Sequence, residues 1–298
     1  MDEPTTTSPA RGAERLRAYY ELTKPGIAGY VMITAGVAAF VGSGGRLDLV
    51  VAVLTMIGTG IATAGALALN QYVEREVDGI MLRTRTRPIP SGRLTPLECL
   101  VFGMVLLVTG LVWLLVLVHW LPAALAALSA FAYHFVYTPL KSRTHLATLA
   151  GGVPGALPML IGWTAATGTV DRGGLAMFAI GYAWQLPHVL GLAWMLREDY
   201  ARVGFKLIPE DDAEGKIIGR HMVAWLVGLI VVSGIPTYLG LTGVVYLVGA
   251  MLVSVTYLIV GMGAARDLTD KAARKVFFGS LLYHPVILVL MLVDTVRL

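Results

Sequence analysis

The sequence predicts an all-α polytopic membrane protein with nine transmembrane helices. Three observations carry that prediction. Of 298 residues, 56% are hydrophobic and only 14% are charged, against roughly 25% charged in a soluble domain, and the mean hydropathy is +0.73. Apolar runs recur along the whole chain and reach or approach the roughly 18 residues that suffice to cross a bilayer. The basic residues fall almost entirely on one side of those runs. Together these exclude a soluble enzyme and a disordered chain. The single Cys99 excludes an intramolecular disulfide, and the long apolar runs argue against a membrane β-barrel, whose strands alternate.

Residues Met1 to Arg11 are rich in Thr, Ser and Pro and read as a mobile N-terminus. They lack the basic region and apolar core of a cleavable signal peptide. Ala13 to Lys24 mixes Arg15, Arg17 and Lys24 with Leu16, Tyr19, Tyr20 and Leu22, the pattern of a short amphipathic helix lying on the membrane surface. Residues 1–24 thus precede one nine-helix domain over 25–298. Its spans are expected at Gly26–Gly42, Leu49–Tyr72, Leu97–Val118, Leu121–Tyr137, Leu146–Thr167, Leu175–Leu196, His221–Leu241, Val244–Gly263 and Val276–Val293. With nine spans, every one of the 23 Lys and Arg residues except Arg46, Arg172 and Arg297 lies on the side of the N-terminus. The positive-inside rule places that side in the cytoplasm and the C-terminus outside.

Two connections on that side are long and charged: Asn70 to Gly92 and Arg197 to Lys216. Asn70, Glu74 and Asp78 follow the spacing i, i+4, i+8, which puts them along one face of a helix. Asn70 stands inside the end of an apolar run, where a polar side chain is costly and usually functional. Oxygen donors on one stripe suit Mg²⁺, which takes a few carboxylates together with phosphate oxygens. Arg83, Arg85 and Arg87 come directly afterwards, and the forked guanidinium is the preferred partner of phosphate. The plainer alternative is a solvated acidic helix end paired with the arginines. In the second connection Glu198 and Asp199 end the sixth span, so spans two and six both close in acids on the same face. The run Glu210, Asp211, Asp212 and Glu214 reads as a solvated loop.

Of the six histidines, His134, His188 and His284 lie in apolar runs. A lone intramembrane His is usually a packing residue. His188 differs because it follows Pro187, which frees a carbonyl and bends a helix. It also stands 11 residues before Asp199, so on one continuous helix the two face the same way, about 16 Å apart. Neutral imidazole suits haem iron.

These residues resemble a known family. Asn70, Glu74 and Asp78 followed by Arg83-Thr84-Arg85-Thr86-Arg87-Pro88 look like the first signature of the UbiA intramembrane prenyltransferase superfamily. ELTKPGI from Glu21, YTPLKSRTHLATLAGGVPGALPMLIGWTAATG from Tyr137, Leu186-Pro187-His188 and REDYARVG from Arg197 are similar to its haem-modifying branch. The similarity runs over about residues 20 to 290. It implies a nine-helix bundle around a cytoplasm-facing central cavity in the plasma membrane of a prokaryote. It implies transfer of a farnesyl group from farnesyl diphosphate to a vinyl group of haem B, giving haem O, with Mg²⁺ as cofactor. The expected partners are the two substrates, the lipid bilayer and a haem A synthase, with no nucleic acid.

Carried over by the resemblance, Asn70, Glu74, Asp78 and Asp199 are the metal-holding and catalytic set. Arg83, Arg87, Lys141, Arg143 and Lys206 hold diphosphate, and His188 contacts haem. The chain departs from the superfamily at Val203, where many members carry a second aspartate, as the haem branch does not. It departs from the haem branch in the stretch Phe205-Lys206-Leu207-Ile208-Pro209. The residues alone leave other readings open: the same site on a quinone precursor, a chlorin or a glycerol phosphate ether, a transporter, or a haem-binding chaperone. A transporter predicts acids near the bilayer midplane; here the acids stand at the ends of the spans.

Overall fold

The computed structural model describes residues 12–46 and 48–297, so the expected mobile segment Met1–Arg11 lies outside the described residues. Among the described residues nine helices are long and apolar enough to cross a membrane. In chain order the elements are α1 (Gly12–Leu22), α2 (Pro25–Gly42), α3 (Leu49–Val73), α4 (Arg75–Ile80), α5 (Pro96–Leu117) and α6 (Trp120–Phe131), followed by α7 (Thr138–Leu140) and α8 (Ala147–Thr167). The remainder are α9 (Arg172–Met195), α10 (Arg197–Arg202), α11 (Lys216–Tyr238), α12 (Val244–Arg266) and α13 (Asp270–Asp294).

The nine spans match the expected ones to within a few residues, and the differences have local causes. The helices α11 and α13 start earlier than their apolar runs because polar caps carry them into charged sequence. Asp212 accepts from Ile217 N at 2.9 Å and Ile218 N at 2.8 Å, satisfying donors that the first turn leaves orphaned. Part of the acidic run read as solvated is therefore a buried cap, with Asp212 only 4% exposed. Thr269 caps α13 in the same way through Ala272 N. The fourth span is not a plain α-helix. Between α6 and α7, residues Ala132–Tyr137 form a π-helical turn, a feature frequent at functional sites.

The two most enclosed spans are α8 and α9, with 61% and 56% of their apolar windows buried against 17% for α5. They form the centre of the bundle. The helices α2 and α6 pack on α8, α11 and α13 pack on α9, and α3 lies between α2 and α5. Close approach depends on small residues, as in other membrane bundles. A Cβ built on Gly162 of α8 would lie 1.9 Å from the Ala35 carbonyl oxygen of α2. Inside a membrane a backbone carbonyl without a partner is costly. Pro158 has no N–H for the carbonyl of Pro154 four residues earlier, and Ser129 Oγ from α6 donates to that oxygen at 3.0 Å.

Helix α1, expected on the membrane surface, docks on the bundle. Ala18 and Leu22 are fully buried in a cluster with Ala68, Ile89, Leu94 and Cys99. Gln71 Nε2 donates to Leu22 O at 3.1 Å, and Arg93 pairs with Glu21 at 2.5 Å, holding that carboxyl below its usual range. Thus α1 buttresses the connection that carries the acids and arginines.

Gly162→Ala is expected to lower thermal stability in detergent by about 1–3 kcal/mol, the cost of overpacking a close backbone contact. Gly263→Ala on α12, where an added Cβ meets nothing within 4 Å, is expected to stay within about 0.5 kcal/mol of the parent. Melting curves of the two variants check the α2–α8 contact.

Candidate functional site

At the end of α3 the helix breaks at Glu74, whose backbone sits at φ −92° and ψ 9°. The spacing survives the break. Glu74 N donates to Asn70 O at 2.9 Å and Asp78 N donates to Glu74 O at 2.8 Å, so the three side chains stay on one stripe. All three turn inward: Asn70 is 2%, Glu74 8% and Asp78 0% exposed. This excludes the solvated helix end that the sequence left open.

Buried carboxylates need partners, and the connections after α4 and after α7 supply them. Arg87 Nη1 donates to both Asp78 oxygens, at 2.7 and 2.6 Å. Lys141 Nζ, from the connection after α7, reaches Glu74 Oε1 at 2.5 Å. Thr84 Oγ1 donates to Asp78 O at 2.9 Å and tightens the turn that brings Arg87 back. Lys141 is itself buried and lies over the Tyr137 ring, 4.6 Å from its centroid. Burial works against its ammonium, but Tyr133, Glu74 and Tyr200 outweigh it and raise the pKa. The Asn70 amide nitrogen is buried with no hydrogen-bond partner.

All of these but Thr84 line a polar pocket of about 150 Å³, together with Arg83, Lys24 and Tyr200. Four cationic side chains (Lys24, Arg83, Arg87 and Lys141) face two carboxylates there, so the pocket carries an excess of positive charge suited to an anion. Its metal-capable donors are oxygens, the kind a hard dication takes. Among the described residues no group of three or more His, Cys, Asp or Glu stands close enough to hold a metal alone. A dication here therefore needs oxygens from the anion as well, which is the habit of Mg²⁺ at phosphates.

The other expected residues lie elsewhere. Asp199 does not line the pocket. The chain breaks at Leu196, so α10 is a separate short helix and the expected common face of His188 and Asp199 is lost. Asp199 instead accepts from Leu82 N and Arg83 N, both at 3.3 Å, and pairs with Arg202 at 3.1 Å. It clamps the backbone that carries Arg83. Lys206 pairs with Glu210 at 2.7 Å, while its backbone N–H donates to Lys141 O at 2.6 Å. Neither Lys206 nor Arg143 lines the pocket.

Below the polar pocket lies a second, largely apolar cavity of about 610 Å³ between α2, α3, α6, α8, α9 and α13, within the range that encloses small-molecule ligands. His188 stands on its wall with Trp184, Tyr30 and His284. The two compartments share Tyr133 and Tyr137 as lining residues. Both tyrosines belong to the π-helical turn, which therefore forms the boundary between charge and hydrocarbon.

Sequence reasoning missed Tyr133, Tyr137, Tyr200, Lys24 and His284. Tyr137 and Tyr200 fall inside stretches that carry the family resemblance, but the sequence assigns none of the three tyrosines a role. Lys24 was assigned to the amphipathic surface helix, yet it has the one positive φ of a non-glycine residue among those described, +43°. That conformation is rare for lysine and disfavoured before a proline such as Pro25, and it turns the side chain into the polar pocket. Burial first, then the neighbouring Arg87, lowers its pKa to about 8. The Lys-Pro pair was the available signal.

Known proteins bear on this geometry. The model of the UbiA prenyltransferase family matches residues 31–282. The chain is 41% identical to a protoheme IX farnesyltransferase of Solibacter usitatus, over 94% of this chain and 99% of that one. It is 37% identical to a protoheme IX farnesyltransferase of Aquifex aeolicus, over 96% and 98%. Among solved structures, a digeranylgeranylglyceryl phosphate synthase superposes with a TM-score of 0.80 at 18% identity, covering 96% of this chain and all of that one. A UbiA homologue from Archaeoglobus fulgidus bound to GPP and Mg²⁺ superposes with a TM-score of 0.64 at 13% identity, over 92% and 99%. The latter two likenesses speak for the fold; the family match over most of the length and the close relatives speak for descent, and the chain belongs to the UbiA prenyltransferase family.

Proposed function

We propose that the chain transfers a farnesyl group from farnesyl diphosphate to a vinyl group of haem B, giving haem O and diphosphate. One observation carries this reading beyond the family: a cationic, carboxylate-bearing pocket adjoins an apolar cavity across Tyr133 and Tyr137. A prenyl diphosphate has the matching shape, an anionic head joined to a hydrocarbon tail. The relatives named protoheme IX farnesyltransferase support the acceptor.

In this reading Asn70, Glu74 and Asp78 hold Mg²⁺, and Asp199, outside the pocket, supports the site by clamping the backbone that carries Arg83. Bound Mg²⁺ withdraws charge from the leaving diphosphate. Arg83, Arg87, Lys141 and Lys24 bind the diphosphate oxygens and stabilise the charge that builds there as the allylic C–O bond breaks. Arg143, in the connection of Lys141, and Lys206, whose backbone N–H bonds Lys141 O, add to the positive field. Arg87 and Lys141 exchange carboxylate for phosphate partners without leaving the pocket. The apolar wall below keeps water from the allylic cation. The vinyl π-electrons attack the first prenyl carbon, and water then captures the porphyrin-side cation and releases a proton. His188 orients the haem. No nucleophilic side chain takes part.

The charged end is assigned to the cytoplasm, with the N-terminus inside and the C-terminus outside, in a prokaryotic plasma membrane; residues 12–24 join the nine-helix domain through the docking of α1. The uneven placement of basic residues supports this orientation. Product would pass to a haem A synthase.

The test is incubation of purified protein with farnesyl diphosphate, haem B and Mg²⁺, with products weighed by mass spectrometry. Haem O is expected, and no haem adduct would overturn the reading. Asp78→Asn is expected to lower kcat by at least the roughly 10²-fold typical of losing a charge-stabilising group. Arg87→Ala is expected mainly to raise KM for the prenyl diphosphate. If both variants turn over like the parent, the polar pocket is not where diphosphate binds.

Lys24 adds a pH dependence. Its amine is charged below about 8 and attracts diphosphate only in that form, so prenyl diphosphate affinity is expected to fall as pH rises through 8. Lys24→Met is expected to bind more weakly at pH 7 and to lose that dependence. Titration of a non-hydrolysable prenyl diphosphate analogue at pH 7 and 9 checks both; the same slope in parent and variant would contradict them.

A further inference from the structure

His188 belongs to a hydrogen-bonded stack whose far end lies outside the cavity. Its ring packs between Trp184 and Phe277, with centroid distances of 5.7 and 4.6 Å and an interplanar angle of 28° in each case. Behind it, on α13, Ser280 is fully buried. His188 Nδ1 and Ser280 Oγ are 2.7 Å apart. Ser280 Oγ also donates to Phe277 O, three residues earlier on α13, and Trp184 Nε1 donates to Ser280 O at 2.7 Å.

The partners of the Ser280 hydroxyl argue for one tautomer of His188. A hydroxyl has one hydrogen. Within a helix a serine hydroxyl ordinarily donates to the carbonyl three or four residues back, so the Ser280 hydrogen is given to the Phe277 carbonyl. Ser280 Oγ then accepts from His188, and the ring hydrogen sits on Nδ1. Neutral His188 is left with its lone pair on Nε2. That is the arrangement a metal-binding imidazole requires, since the other ring nitrogen donates to a fixed acceptor and sets tautomer and orientation.

We propose that Ser280 is a positioning residue: by accepting the Nδ1 hydrogen of His188 it presents the Nε2 lone pair as an axial ligand to the iron of the haem substrate. This rests on the reading of the cavity as the haem site. The Trp184 bond holds the Ser280 backbone in place, and the flanking rings prevent the imidazole from turning. A serine on α13 thereby acts on an acceptor bound beside α9.

The experiment uses the full chain in detergent with ferrous haem B, in the absence of prenyl diphosphate, and reads haem affinity and the iron–histidine stretching band by resonance Raman spectroscopy. The parent should show a histidine-ligated five-coordinate spectrum. His188→Ala should lose the iron–histidine band. Ser280→Ala, which removes one oxygen and introduces no clash, should keep the fold, shift the band to lower frequency and weaken haem binding by roughly 10- to 100-fold, the usual cost of an outer hydrogen-bond partner. If His188→Ala leaves the band unchanged, His188 is not the ligand and the proposal falls. If His188→Ala abolishes it while Ser280→Ala leaves band and affinity as in the parent, Ser280 does not position the ring. Failure of the parent to bind haem at all would overturn the cavity reading beneath both.

Discussion

The architecture of the site depends on pairing two carboxylates that the fold has buried at the mouth of an apolar bundle. Glu74 and Asp78 are 8% and 0% exposed, and a buried charge is tolerated only with a partner. The partners come from different places in the chain. Arg87 returns from the turn after α4, and Lys141 comes from the end of the fourth span. Breaking one such buried pair costs about 3–5 kcal/mol because it strands the other charge. The two ion pairs therefore fix both connections over the cavity. They also keep the basic groups where an incoming anion can take them over.

Around that pairing the bundle separates two solvents. The polar pocket is small and charged, whereas the cavity beneath is large and walled by aliphatic, aromatic and small residues. The π-helical turn Ala132–Tyr137 is the seam between them. Glycines and prolines in α8 let helices approach closely and leave carbonyls that neighbouring side chains satisfy, as Ser129 does for Pro154. The same residues that thin the wall of α8 make room for the cavity.

The nine spans were legible because apolar length and the one-sided distribution of basic residues are properties of the sequence itself. The stripe of Asn70, Glu74 and Asp78 was legible because i, i+4, i+8 spacing survived the break at Glu74. Asp199 was not. Its placement on one helix face with His188 assumed one helix through Leu196, and the break there lets its carboxylate bind the backbone of Leu82 and Arg83. Lys24 was hidden by a left-handed backbone that no periodicity announces. Tyr133 and Tyr137 were hidden by a π-turn, which alters register within a run that looks uniformly helical. His284 looked like packing because only the tertiary arrangement puts it on the cavity wall, stacked on Trp184 at 4.1 Å. Local pattern thus revealed the elements, while long-range ion pairs and helix breaks decided which side chains meet.

The central claim is that head and tail of one amphiphile occupy the two adjoining compartments. Photolabelling tests it most directly, with a prenyl diphosphate carrying a diazirine near the end of its chain, followed by peptide mapping of the adducts. The account predicts adducts on the cavity wall, at residues such as Thr59, Ala126 and Pro154, suppressed by excess unlabelled farnesyl diphosphate. Labelling confined to outward-facing residues such as Val105 and Leu252, and not suppressed by that competitor, would contradict it.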